Sequence, residues 1–360
     1  MEGIDMKKTA LKKLFSKSLI LGFSLALTLP SLSWGGPKGI QYVPLEQLSD
    51  PKNMEKAVEE LTDDGKGKHF GKIKKVVIPS YFIEFRTVSS GRVVKKSMLG
   101  AHGVSTNATV TYGNPDPTVG QAIATAALAD LTERMTAAGY EVVKPVDVTS
   151  LEAFKKLPPF VDGKITDPTF KQVGFSDYKS MYSAADGSVI YFDGISQNPE
   201  SMSNPNSEGT AVSAQAWEMA GGEGVGVVRP KIVVEFVNFI GETRDEKKKE
   251  YNVFGKEVEV TTEYATISAI PQIKIYPSQY MVTRSFVKVI GKYFPDNLGS
   301  VYLNNKIELA STVPSGALGK IEDNGGKWVF TANNEKYKEA AIEQLKVFNA
   351  LMVGKMKTFK

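Results

Sequence analysis

The stretch Asp116-Pro-Thr-Val-Gly-Gln-Ala-Ile-Ala-Thr-Ala-Ala-Leu-Ala-Asp-Leu-Thr-Glu-Arg-Met-Thr-Ala-Ala-Gly-Tyr-Glu-Val-Val-Lys144 sets the fold class. Asp116 is placed to cap a helix, and Pro117 suits the first helical position, where no backbone donor is required. Ala124, Ala127, Leu128, Leu131, Met135 and Ala138 then recur at i, i+3, i+4, i+7, i+11 and i+14, one continuous apolar stripe. Asp130 and Arg134, four apart in the acid-first order, fall on the wetter side of that helix. Gly139 is a natural left-handed stop, and residues 140–143 restart as a strand. Helix, glycine, strand is one crossover of an α/β layer. The expected class is therefore α/β (α+β), a mixed β-sheet flanked by helices.

Working outward to the start of the chain, Lys7, Lys8, Lys12, Lys13 and Lys17 form a basic region ahead of an apolar run over residues 18–32. Small residues Ser31, Ser33, Gly35 and Gly36 follow, so residues 1–36 read as a cleaved secretory signal. Met6-Lys7-Lys8 reads as a start, with residues 1–5 as an extension. The apolar run falls short of the ~20 residues that span a bilayer and is broken by Pro30. No later segment is apolar enough to cross a membrane as a helix. The 360-residue chain has no cysteine, which excludes a disulfide framework, a thiolate metal site and a lipid-modified cysteine. Its net charge of +4 includes the five leader lysines, so the mature chain is near neutral and offers no clustered basic face for nucleic acid.

Residues 37–72 read as a polar lead-in with a short helix opened by Asp50-Pro51, carrying Met54, Val58 and Leu61 at helical spacing. The Gly65-Lys66-Gly67-Lys68 run lacks the spacing and preceding strand of a phosphate loop and reads as a solvated loop. Residues 73–360 read as one domain. Residues 74–80 form a strand buried on both faces. Residues 81–88 continue extended, and Ser89-Ser90-Gly91 turns the chain into residues 92–96, a hairpin. Residues 106–112 alternate as another strand. Residues 145–178 are a long excursion with a short helix at 150–157; residues 188–193 are a strand, and 197–209 a polar, mobile loop. A second helix covers 210–220, a long strand 226–239 and a charged turn 242–250. Antiparallel strands are expected at 256–275, 279–290 and 327–331, with turns at Pro277-Ser278 and Asn324-Gly325-Gly326.

A C-terminal amphipathic helix closes the chain over residues 334–357. Ala341, Leu345, Phe348, Met352, Met356 and Phe359 recur at spacings of four, three, four, four and three. Packing on the sheet is the plain reading of that stripe. The sharper one makes Leu345, Phe348, Met352, Met356 and Phe359 a partner-contact surface, for an envelope protein or a second copy.

No constellation for chemistry assembles from the sequence. His69 and His102, the two histidines, sit in glycine-flanked loops without a partner acid or a His-x-x-x-His spacing. Gly221-Gly222-Glu223-Gly224-Val225-Gly226 has a helix before it and a strand after, the reverse of a dinucleotide fingerprint, and reads as a helix stop and tight turn. Asp186 with Asp193, and Glu322 with Asp323, lie beside turns, where such residues serve the backbone. Tyr81, Phe82, Phe85, Tyr276, Tyr280 and Tyr293 read as core or sheet-face packing. No catalytic residue, cofactor or metal ligand is expected.

The layout nevertheless has a counterpart. A buried strand Val76-Val77-Ile78-Pro79, a helix running into Ala-Gly-Tyr-Glu-Val-Val (138–143) and a second helix running into Gly-Gly-Glu-Gly-Val-Gly-Val-Val (221–228) are followed by meandering strands and an amphipathic helix. This order resembles the periplasmic α/β domain shared by the curli secretion channel family and the amino-terminal domain of the Tol-system translocation protein. The resemblance covers roughly residues 74–358. It implies a periplasmic envelope protein that works by assembly or binding and carries no catalytic residues. Two departures stand out. The channel type is lipid-anchored through a cysteine that this chain lacks, and its pore hairpins need lipid-facing apolar alternation. The stretch 82–96 instead carries Glu84, Arg86, Arg92, Lys95 and Lys96. The expectation is a secreted, non-enzymatic accessory, assembly or binding component, with peripheral membrane association allowed. The alternatives are a secreted hydrolase with an unrecognised carboxylate or serine site and, behind it, an oligomeric outer-membrane channel subunit.

Overall fold

The computed structural model describes residues 39–95, 103–143, 147–157, 171–172, 178–191, 207–276, 278–296, 299–324 and 326–360. The expected leader, His102, most of the 145–178 excursion and residues 192–206 lie outside them. All described residues belong to one compact unit, Gly36–Lys360.

In chain order the first elements are β1 (Ile40–Tyr42), α1 (Pro51–Leu61), β2 (Thr62–Gly65), β3 (Lys75–Val77), β4 (Phe82–Lys95) and β5 (Val104–Tyr112). Then come α2 (Pro117–Ala137), β6 (Glu141–Val142), α3 (Glu152–Lys155), β7 (Lys171–Gln172), β8 (Tyr178–Ala184) and α4 (Ser207–Met219). Strands β9 (Val225–Lys231), β10 (Val233–Tyr251), β11 (Glu257–Ile275), β12 (Gln279–Thr283), β13 (Ser285–Val289) and β14 (Lys292–Asp296) follow. The chain ends with β15 (Gly299–Leu303), β16 (Glu308–Ala310), α5 (Ser315–Leu318), β17 (Gly319–Asp323), β18 (Trp328–Ala332) and α6 (Asn334–Lys357).

The fold is α+β, with mixed sheets flanked by helices. The larger sheet runs β1-β16-β11-β10-β4-β5-β18-β17, with β8 and β7 added beside β4; the smaller runs β2-β15-β12-β9-β3-β6, and β13 pairs with β14 alone. The opening stretch behaves as its residues dictate. Asp116 caps α2 by accepting from the Thr118 N–H at 2.8 Å, and Gly139 turns at φ +81° into β6, parallel to β3. Val76 and Val77 of β3 are wholly buried, between β9 and β6 of the smaller sheet. The glycines after α4 turn with positive φ at Gly221, Gly222 and Gly224 before β9 begins. Rings of Tyr112, Phe236, Phe330 and Tyr337 fill the interior of the larger sheet, with Phe236 stacked on Phe330 at 5.4 Å.

Several expectations are corrected. Ser89-Ser90-Gly91 is not a turn: β4 runs straight through it, paired with β8 along its inner half and with β5 along its outer half. The expected strand 226–239 is two strands in different sheets, β9 and β10, parted at Ile232. Residues 242–250 are the outer half of β10, a strand whose charges are answered by its neighbour, as described below. Residues 188–191 are not a strand; the strand here is β8, which ends at Ala184. The lead-in is part of the fold, since β1 pairs with β16, β2 pairs with β15, and Val43, Leu48 and Phe70 are buried.

Asp130 and Arg134 face inward as well. The Arg134 Nε donates to Asp130 Oδ2 at 2.9 Å, and the Asn349 amide of α6 donates to the same oxygen at 2.9 Å and to the Ala127 carbonyl. The Asn349 Oδ1 accepts the Tyr280 hydroxyl from β12, so one polar chain ties α2, α6 and the smaller sheet. Each of these groups is satisfied inside the protein, which is what makes a buried polar cluster tolerable.

Candidate functional site, a hairpin arm and its buried root

Strands β10 and β11 form an antiparallel hairpin whose ladder runs from Val234↔Ile275 to Tyr251↔Glu257. Its inner part belongs to the core: Phe236 and Val237 are wholly buried, and Ile273 and Ile275 likewise. From Glu246 outward nearly every side chain of both strands is exposed. At 3.4 Å per residue, this outer arm is about 20 Å long.

The strand pairing explains how so charged a stretch stays extended. Lys247 and Glu259 meet at 2.7 Å, Lys249 pairs with Glu257, and the Arg244 guanidinium lies 5.2 Å from the Tyr264 ring centre. Cross-strand pairs of this kind contribute a few tenths to 1 kcal/mol each, enough to hold a register but not to fold an arm alone. Residues 246–259 hold four lysines and four glutamates, so the arm carries no net charge there.

The apex is braced by Asn252. Its Oδ1 accepts the N–H groups of Phe254 and Lys256, each at 3.0 Å, and Gly255 follows at φ +72°. An asparagine turn of this type fixes the loop from within. It leaves Tyr251 76% exposed, Val253 94% and Phe254 83%. Along its second edge β11 is laddered to β16 only at Lys274 and Ile275, and the Ile273 carbonyl accepts the Ser311 N–H, so residues 257–270, none of them buried, offer a strand edge without a ladder partner among the described residues.

The root of the arm is locked by two glycines. The Phe239 ring lies on Gly91 of β4, where an added Cβ would sit 2.4 Å from a ring carbon; Val93 of β4 lies on Gly241, where it would sit 2.2 Å away. Only glycine permits so close an approach. Lys95 of β4 then pairs with Asp245 of β10, the outermost tie between these two strands among the described residues. Deeper in, Glu235 is buried, accepts the Ser89 hydroxyl at 2.5 Å and the Phe236 N–H at 2.9 Å, and is pushed up from the usual carboxylate range by that burial. Lys274 and Arg86 lie near enough to oppose the shift, and Lys274 is itself paired with Glu308 at 2.8 Å.

Beside this root runs a groove of about 650 Å³ lined by Arg92, Asn238, Lys274, Tyr276, Lys306 and Glu308 among others. Glu308 is the one carboxylate in its lining among the described residues, so no acid pair converges there. Nor, among the described residues, do three or more histidines, acids or cysteines gather as metal ligands. His69 lies in a short 3-10 turn, residues 67–72.

No family model, curated protein or solved structure matches this chain.

The residues expected to form a partner-contact helix lie elsewhere, and the structure corrects that reading. Leu345, Phe348, Met352 and Met356 are all wholly buried, and Phe359 rests on the Phe70 ring at 5.8 Å. Val347, Leu351 and Val353 on the other faces of α6 are buried too, because the helix lies among α1, α2 and strands of both sheets. Over residues 347–353 every position of α6 is buried, the mark of a core helix. The arm, by contrast, gave no apolar signal over most of its length. The one available signal was the Tyr-Asn-Val-Phe-Gly run at 251–255, an asparagine–glycine turn with bulky apolar residues inside it.

Proposed function

We propose that this chain is an exported, non-enzymatic component of a Gram-negative-type cell envelope, acting in the periplasm by assembly or binding, with the β10–β11 arm as its contact element. The observation that carries the reading is an anchored hairpin whose apex presents Tyr251, Val253 and Phe254 to solvent, above an unladdered β11 edge. Rigid aromatic anchors and open strand edges are two recurring means of protein recognition. The basic, apolar leader segment supports export. The resemblance in layout to the curli secretion channel family and the Tol-system domain agrees with an assembly role.

Among the described residues no helix is long and apolar enough to cross a membrane. A channel subunit would use strands instead, and the outer arm is charged on both faces. Glu242, Arg244, Glu246 and Lys248 line one, and Asp245, Lys247 and Lys249 the other. Such faces suit water or a protein surface better than lipid. A hydrolase would draw on convergent acids, and the groove at the arm's root gives that reading no support.

The test is to express the chain with its own leader and a photo-crosslinking residue at Phe254. The expected result is a processed protein in the periplasmic fraction, with adducts to an envelope protein or to a second copy. Phe254→Asp should remove those adducts while changing stability by no more than about 0.5 kcal/mol, as for an exposed site. An unprocessed chain held in the cytoplasm, or adducts that Phe254→Asp leaves intact, would overturn the reading.

A further inference from the structure

The short hairpin β13–β14 is built on the same plan and ends differently. Its register pairs Val287 with Phe294 and Val289 with Lys292, so these four side chains share one face, while Phe286, Lys288 and Tyr293 share the other. The second face is docked. Phe286 packs with Trp217 of α4 at 5.9 Å, in a cluster with Val77, Ala214, Val225 and Val227, and the Tyr293 hydroxyl donates to Glu218 at 3.3 Å. The first face is open, with Val287, Val289 and Phe294 each about half exposed. At the apex Ile290 is 98% exposed.

Ile290 also stands at φ +49° and Gly291 at φ +76°. Positive φ at both central residues is a two-residue turn that asparagine–glycine fits without strain, and a β-branched residue there is a conformational outlier. The left-handed state brings the Cβ of such a residue too close to the following carbonyl oxygen. An exposed isoleucine at that position contributes nothing to the core. Strain of this kind, held on a solvent-facing apex, points to a use outside the fold.

The charge around the hairpin indicates which use. Residues 284–296 carry Arg284, Lys288 and Lys292 against Asp296 alone. Lys288 lies over the Tyr293 ring at 5.1 Å rather than against an acid. At the hairpin's root a groove of about 530 Å³ is lined by Lys72, Trp217, Glu223, Gly224, Arg284 and Ser285, adding one further cation, one acid and an indole to the hairpin's surroundings. Apolar side chains that share their face with Lys292, with Lys288 exposed on the other face beside the apex and an aromatic at the margin, match the boundary of an anionic bilayer, where acyl chains take the apolar groups and phosphates the lysines.

We infer that β13–β14 is a peripheral membrane contact, seating Ile290, Val287, Val289 and Phe294 in the headgroup–acyl boundary of an anionic lipid surface, with Lys288, Lys292, Arg284 and Lys72 on its phosphates. This inference stands apart from the arm's role.

Flotation of the purified full chain with vesicles tests it. Binding is expected to vesicles containing phosphatidylglycerol and not to phosphatidylcholine alone, and to weaken with salt. The variant Lys288→Gln/Lys292→Gln should bind about tenfold less, since each lysine near an anionic surface contributes about fivefold or less. Ile290→Asn separates fold from function: it should raise or preserve the melting temperature, by relieving the turn, and still lower vesicle binding. Phe254→Asp in the arm should leave vesicle binding unchanged, so the two readings can fail independently. Equal binding to neutral vesicles, or full binding by Ile290→Asn, would overturn the proposal. So would a doubled native mass that Ile290→Asn abolishes, which would assign the open face to a second copy of the chain.

Discussion

Two hairpins leave this protein with apolar tips, and they differ in what surrounds the tip. In the β10–β11 arm Lys247 and Lys249 are answered by Glu259 and Glu257 across the ladder, and residues 246–259 are neutral as a whole. In β13–β14 the cations outnumber the acid and one of them lies on an aromatic ring. The arm is long and held at its root by close backbone contact and a buried carboxyl. The short hairpin is held by aromatic rings on one face. The ladders β9–β12 and β10–β11 are formed by the same two chain segments, so the two tips lie at opposite ends of that double strand. An apolar tip alone therefore says little about a partner; the balance of charge beside it is the ground on which we propose protein for one hairpin and lipid for the other.

The largest expected effect falls on the short hairpin. Phe286→Ala removes the ring that seats β13–β14 on Trp217 and Val77, and should lower stability by about 3 kcal/mol. Hydrogen exchange should show protection lost in residues 285–296 and kept in the arm. Loss of protection in both hairpins together would mean that they form one cooperative unit, and the contrast between them would fall.

Next comes the arm's root. In Gly241→Val the new side chain meets Val93 where a Cβ already sits 2.2 Å away, so the two strands must part. Thermal unfolding should report a loss of roughly 1–3 kcal/mol. The crosslinking pattern from Phe254 should broaden, because the apex is no longer aimed. A variant as stable as the parent, with an unchanged pattern, would show that the glycines do not position the arm.

How much of this could be read from residues alone depends on the range of the interaction that decides each element. The opening of α1 at Asp50-Pro51, the cap of α2, the stop at Gly139 and the glycine turn before β9 rest on contacts within a few residues, and all stand in the structure as expected. The misread elements rest on partners far along the chain. Glu242–Glu250 looks like a charged turn until pairing with β11 brings Glu259 and Glu257 to Lys247 and Lys249. Ser89-Ser90-Gly91 looks like a turn until Phe239, nearly 150 residues on, occupies the space above the glycine. Asp130 and Arg134 look solvated until Asn349 reaches them. The apolar stripe of α6 was visible, but no local pattern could show that its other faces are covered as well. The arm and the short hairpin were hidden for the same reason, since a two-stranded element is defined by pairing and not by composition.

The smallest effect sharpens the account of the root. Burial raises the Glu235 carboxyl, with the Ser89 hydroxyl, the Phe236 N–H, Lys274 and Arg86 pulling the other way. Between the ordinary carboxylate range and the raised value, the folded chain holds a proton that the unfolded chain has released. Folding then takes up a proton, and stability falls as pH rises through that window. Glu235→Gln keeps one oxygen to accept the Phe236 N–H and places an amide NH2 where it can donate to the Ser89 hydroxyl oxygen, but it cannot ionise. Its stability should therefore change less across the same window, so that the variant gains on the parent as pH rises toward neutrality. Denaturant unfolding of both proteins from pH 4 to pH 8 reads this directly. Parallel curves would mean that Lys274 and Arg86 keep the carboxyl ionised in the fold. The arm would then be rooted in an ion cluster like those along its own length, and the distinction between a neutral root and a charge-laddered shaft would disappear. Diverging curves would instead establish a root that works by exclusion of charge and a shaft that works by pairing it.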